Sequence, residues 1–249
     1  MFKSILVLTY GFLLSSLVGC SEIDSEDVRT SGFNIDAQIT TTDSSTNILV
    51  RLKAGDDFDS DRIVLTAGDQ LRADLSGRRL EVPRLNDAYR ASYENVTGGE
   101  VLTLELLRPE GVSAFDTRVL LPDSFEINAP DQGASFNAGD TITVTWSPGD
   151  PGNTMEVRYS VDCPLVENTD SFHAGRIGRT FDVADIGTHT TTINTILNAF
   201  DDQEEFVTGI PCPLSIVLTR ENTGTLDPAL DGGSIEAKHT QTVIVTVIP

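Results

Sequence analysis

Lysine occurs only at Lys3, Lys53 and Lys238, and arginine supplies the other 14 positive charges against 38 acidic side chains, a formal net charge of −21. This balance argues against nucleic acid as a partner, because affinity for phosphate backbones comes from basic side chains that release counterions. Histidine is equally scarce. His173, His189 and His239 lack the close spacing that gathers zinc ligands, and each is expected in a loop or on a strand surface. No Gly-x-Ser-x-Gly elbow, phosphate-cradling glycine loop or dinucleotide fingerprint occurs, so the usual sequence marks of hydrolases and nucleotide enzymes are missing. Among 38 acids any two could be named as a glycosidase pair, so carboxylates alone identify no such site. No residue is assigned a catalytic role, and the chain is read as a non-enzyme. The longest mainly apolar run, 5–18, has 14 residues, short of the roughly 18 to 20 that span a bilayer.

That run is nevertheless informative. Lys3 precedes it and the small residue Gly19 follows, which gives the charged, apolar and cleavable parts of an export signal. The ending Leu17-Val18-Gly19-Cys20 resembles the lipobox of bacterial lipoproteins. The resemblance implies that 1–19 is removed as a signal peptide and that Cys20 is acylated. The chain is then held to a membrane through its N-terminal lipid, each buried methylene contributing about 0.8 kcal/mol. Ser21, rather than aspartate, follows the cysteine, and by the same resemblance this favours the outer membrane.

Cys163 and Cys212 remain, 49 positions apart. In an oxidising compartment such a pair is expected to form a disulfide, which on the loop-entropy account contributes roughly 3 to 4 kcal/mol. Two buried thiols, or a reactive or metal-binding pair, are the alternatives.

Residues 20–31 are polar and acidic without apolar periodicity, and they read as a flexible tether. From Phe33 onward, short runs alternate apolar with polar residues between Gly, Asp, Asn and Pro, the pattern of half-buried strands. Strands are expected at 33–41, 47–53, 62–66, 70–76, 79–83, 89–96, 100–107 and 115–121. Ser76-Gly77, Ala67-Gly68-Asp69 and the stretch starting at Asn95 supply the turns. Leu121-Pro122-Asp123-Ser124 is the expected boundary between a first β-sandwich, 32–122, and a second domain, 123–249. Further strands are expected at 124–129, 141–146, 154–162, 187–193, 214–220 and 236–248, with a short helical turn carrying Ile196, Leu197 and Phe200.

The second domain opens with Phe125, Ile127, Pro130, Gly133, Phe136, Gly139-Asp140 and Val144-Thr145-Trp146. This block resembles the first strands of immunoglobulin-like and fibronectin type III-like modules, including those near the amino terminus of fungal cell-wall assembly proteins. The resemblance implies an all-β chain of two consecutive antiparallel sandwich domains, the second immunoglobulin-like, with Cys163 and Cys212 on neighbouring strands.

Asp57, Asp59 and Asp61 alternate within 56–61 and could gather oxygens around Ca2+. Arg62 stands where an EF-hand needs glycine and Gly68 where it needs glutamate, so a solvated acidic loop is the competing reading, as it is for 201–205. Otherwise no cofactor is expected. Tyr89, Tyr93, Tyr159 and Trp146 could offer a stacking platform for sugars, although a lone tryptophan in an alternating strand is expected in a core. The function expected is that of a non-enzymatic binding or structural module of the envelope, partnered by the membrane and by an envelope protein or glycan. A calcium-assisted carbohydrate-binding or adhesive module is the alternative, with an envelope hydrolase behind it.

Overall fold

The structure is a computed structural model that describes residues 21–42, 44–55, 60–96, 98–147, 149, 153–164, 174–198 and 206–249. Its first half contains β1 (Glu22–Asp24), β2 (Phe33–Thr41), β3 (Ser45–Ala54), β4 (Arg62–Val64) and β5 (Gln70–Leu75). These are followed by β6 (Arg78–Glu81), β7 (Arg84–Leu85), β8 (Ala88–Glu94), β9 (Val101–Leu107) and β10 (Ala114–Leu120). The second half contains β11 (Ile127–Ala129), β12 (Ser135–Asn137), β13 (Thr141–Trp146), β14 (Thr154–Pro164) and β15 (Ala174–Ala184). It closes with β16 (Thr188–Thr192), α1 (Ile193–Leu197), β17 (Cys212–Thr223) and β18 (Gly232–Ile248).

Period-two burial produces these strands. On β2, Phe33, Ile35, Ala37 and Ile39 are buried, while Asp36 and Gln38 point to the wetter face. On β13, Ile142, Val144 and Trp146 enter the core and Thr141 and Thr143 stay outside, as the sequence pattern predicts. Ser76 and Gly77 both have positive φ, 52° and 85°, the primed turn whose twist matches the strands it joins, β5 and β6.

The two halves have one strand order. In the first, β2, β3 and β8 make one layer, and β10, β9, β5 and β6 make the facing sheet. In the second, β11, β13 and β16 face β18, β17, β14 and β15. Each half therefore sets its first, second and fifth main strands against its seventh, sixth, third and fourth, the sheet division of an immunoglobulin-like sandwich. The likeness expected of the second half extends to the first.

The halves are fused by β18. Its first part, Gly232 to His239, runs parallel to β2, and its end, Thr246 to Ile248, runs parallel to β12. From Glu236 to Val247 it pairs antiparallel with β17. Ile235 and Ala237 belong to the core of the first sandwich, whereas Val243, Val245 and Val247 belong to that of the second. Along the sequence, Leu121 lies in one core and Phe125 in the other. The boundary in space is crossed by one uninterrupted strand.

The expected tether is corrected by the structure. Within 21–31, β1 pairs in parallel with β4, Ser25 and Thr30 are buried, and Arg62 N donates to Ser21 O at 3.1 Å. Backbone pairing to a distant strand fixes this segment, which has no apolar periodicity to announce it.

Candidate functional site

The join between the sandwiches is built around one cation. Leu214, Ile216 and Leu218 point into the second core, and Arg220 follows at the next position of the same face, only 5% exposed. Its Nε donates to Asp185 Oδ2 at 2.7 Å, its Nη1 to Asp123 O at 2.9 Å and its Nη2 to Ser147 O at 3.2 Å. The guanidinium lies 4.9 Å from the centre of the Phe125 ring. Asp185, fully buried, also accepts from Trp146 Nε1 at 2.7 Å and Gly149 N at 3.2 Å. Burial pushes its pKa up, but the Arg220 guanidinium and the Trp146 N–H outweigh this and leave it below the usual carboxylate range.

The first sandwich repeats the device. Leu102, Leu104 and Leu106 point inward and Arg108 follows on the same face, 8% exposed. It donates to Asp69 Oδ2 at 2.9 Å, Val28 O at 2.8 Å, Thr30 Oγ1 at 3.1 Å and Ser25 O at 2.5 Å, and lies 4.8 Å from the centre of the Phe33 ring. Arg108 directly follows the sixth main strand of its sandwich and Arg220 lies near the end of its own; each pairs with an aspartate whose side chain is buried, covers a phenylalanine and holds at least one carbonyl of the chain entering that sandwich. Buried pairs saturated in this way fix geometry and leave no charge for a reacting group.

Between the two sandwiches lies a cavity of about 390 Å³, bordered by Thr41, Ser124, Glu126 and His239. His239 is 1% exposed, which corrects the expectation of a surface histidine. Thr41 Oγ1 donates its single hydrogen to Lys238 O at 3.1 Å, so it accepts from His239 Nδ1, also at 3.1 Å. The imidazole and the Phe125 ring meet edge to face, with ring centres 5.2 Å apart. A hydroxyl that accepts from the imidazole is not activated by it, and this pair serves as a strand-to-strand tie between β2 and β18.

Cys163 and Cys212 form a disulfide with Cα atoms 5.2 Å apart. The ladder between β14 and β17 ends at Val161 opposite Leu214, and the cysteines occupy the next opposed positions on the same core face. Of the expected calcium ligands, Asp61 accepts from the Ser21 hydroxyl, whereas Asp57 and Asp59 lie outside the described residues. No group of three acidic, histidine or cysteine side chains that could hold a metal ion occurs among the described residues. Cys20, His173, Phe200 and 201–205 also lie outside them. His189 is half-buried against Tyr159 and Phe181, and burial lowers its pKa.

The aromatic side chains weighed as a sugar platform are all interior. Trp146 and Tyr159 lie in the second core, and Tyr89 and Tyr93 in the first. The Tyr89 hydroxyl accepts from Leu65 N at 2.8 Å, and that of Tyr93 donates to Ala73 O at 2.7 Å. Burial pushes Tyr93 up to about 12. No helix among the described residues is long and apolar enough to cross a membrane.

No family model matches the sequence, and no curated protein matches it. Among solved structures, the chain is similar to the fibronectin(III)-like modules of Clostridium thermocellum CbhA, at 11% identity and a TM-score of 0.25, over 86% of this chain and 88% of that one. It is also similar to red sea bream transglutaminase, at 12% identity and a TM-score of 0.19, over 88% of this chain and 31% of that one. Strand order defines the sandwich architecture of both halves.

Proposed function

We propose that this chain is a lipid-anchored protein of the bacterial envelope, placed at the outer membrane, that works without catalysis as a binding or structural module. The observation that carries the reading is the use made of its buried polar groups. Arg108, Arg220, Asp69, Asp185 and His239 each hold one segment of chain against another. The anchor is supported by the order Leu17-Val18-Gly19-Cys20. The strongly acidic composition favours solubility and suits partners other than polyanions.

Mass spectrometry of the native protein tests the anchor: an acylated N-terminal Cys20 is expected, and an intact leader or an unmodified thiol overturns it. Capture from detergent-solubilised envelopes tests the binding role, with a stoichiometric protein or glycan partner expected. Melting in millimolar calcium separates the adhesive alternative, because a cation bound only by the folded chain raises the midpoint with concentration. The leading reading expects no rise.

A further inference from the structure

The chain leaves Ser21 already fastened. Ser21 Oγ donates to Asp61, Ser21 O accepts from Arg62 N, and Glu22 to Asp24 pair with Arg62 to Val64. Ten residues on, Ser31 sits beside the start of β2, and Gly32 O accepts from Gly55 N at 3.3 Å. Arg108 clamps the intervening turns through Ser25 O, Val28 O and Thr30 Oγ1, as Arg220 clamps the join between the sandwiches through Asp123 O and Ser147 O.

The register then locates this entry point along the molecule. Arg62 is opposite Lys53, Lys53 opposite Asn34, and Asn34 opposite Gly232, the first residue of β18. The second sandwich lies at the other end of that strand, where Gly209 N donates to Pro249 O. The 17 residues of β18, at about 3.3 Å each, separate the two poles by about 50 Å.

We infer that the pole of the first sandwich formed by Ser21, Asp61, Arg62 and Asp231 is the face set against the lipid surface, and that the second sandwich is projected away from it. The inference rests on acylation of Cys20, which is bonded directly to Ser21 and leaves no free tether between lipid and fold. The pole is polar and carries acidic Asp61 and Asp231, so it abuts headgroups and does not insert. The partner is a bilayer of lipids, and the poles differ in their distance from it.

Energy transfer to a headgroup acceptor tests this. The native lipidated protein is reconstituted into vesicles of phosphatidylethanolamine and phosphatidylglycerol with a donor fluorophore encoded in place of exposed Ser31 or exposed Thr208. With the poles about 50 Å apart, transfer from position 31 should exceed that from position 208 by about fivefold or more. A linker of about 20 glycine and serine residues inserted between Cys20 and Ser21 should abolish most of that excess. Equal transfer from the two positions, or more from 208, overturns the inference.

A second arm separates this failure from failure of the functional reading. The chain 20–249 is coupled through the Cys20 thiol to a maleimide lipid in the same vesicles, Cys163 and Cys212 being joined to each other. If the coupled protein shows the excess and the native one carries no acyl group, the geometry of the pole stands but the native anchor falls. If the coupled protein shows no excess, the orientation itself is refuted.

Discussion

Asp185 and Arg220 are the most consequential single residues, because each satisfies the other inside the join. Replacing Asp185 by Asn leaves a guanidinium buried with no compensating charge, and the cost expected is about 3 to 5 kcal/mol, read from urea melts. Replacing both by apolar residues of similar volume should cost less than the single change. The lowered pKa of Asp185 also fixes a pH dependence: its contribution is present above the unfolded value near 3.8 and is lost as pH falls through the lower folded value. His189 acts in the same direction at higher pH. Its folded pKa lies below the ordinary 6.5 because burial favours the neutral ring, so the unfolded chain takes up the proton first as pH falls. Wild type should lose stability between pH 7 and pH 5 relative to His189→Phe, measured by paired melts. A parallel response of the two proteins would remove His189 from that account. Both arginine clamps left a trace in the sequence, since Arg108 and Arg220 continue the leucine-rich faces 102–106 and 214–218 at period two. Their aspartates left none, because Asp69 and Asp185 sit in turns among many other acids.

Alternation placed most strands within a residue or two. Phe33–Thr41 and Thr141–Trp146 coincide with their expected spans. β15 has no such signature: Gly175 and Gly178 interrupt it and Arg176 and Arg179 charge it, so its partner β14 establishes it rather than its own pattern. β1 is three residues with a single apolar side chain, Ile23, held by parallel pairing to β4, which no local periodicity reports. The parallel register of β2 with β18 joins residues almost 200 positions apart and is equally invisible to a reading along the chain. The disulfide was legible from the cysteine count and the compartment expected from the export signal, and its placement follows from the β14–β17 register. It ties two neighbouring strands of one sheet, unlike the inter-sheet bridge of antibody domains. Removing it with Cys163→Ala and Cys212→Ala should cost about 2 to 4 kcal/mol, measured by equilibrium unfolding. A change well below that range would mean that the ladder alone holds this end.

At the scale of the whole molecule, two sandwiches of the same strand order are joined through a common strand, a buried ion pair and a short connection pressed into the fold. A Cβ on Gly98 would lie 2.4 Å from Asp123 Cα, so the turn before β9 rests directly on that connection. Further contacts cross the boundary. Asn222 Nδ2 donates to Leu120 O at 3.0 Å, and Arg118 and Thr225 exchange two backbone bonds of 2.8 Å. A chain organised in this way cannot lose one core without fraying the strand that completes the other. Scanning calorimetry of residues 20–249 tests this most directly. The account predicts one transition with equal calorimetric and van't Hoff enthalpies, whereas two resolved transitions, or a calorimetric enthalpy well above the van't Hoff value, would show that the sandwiches unfold independently and would contradict it.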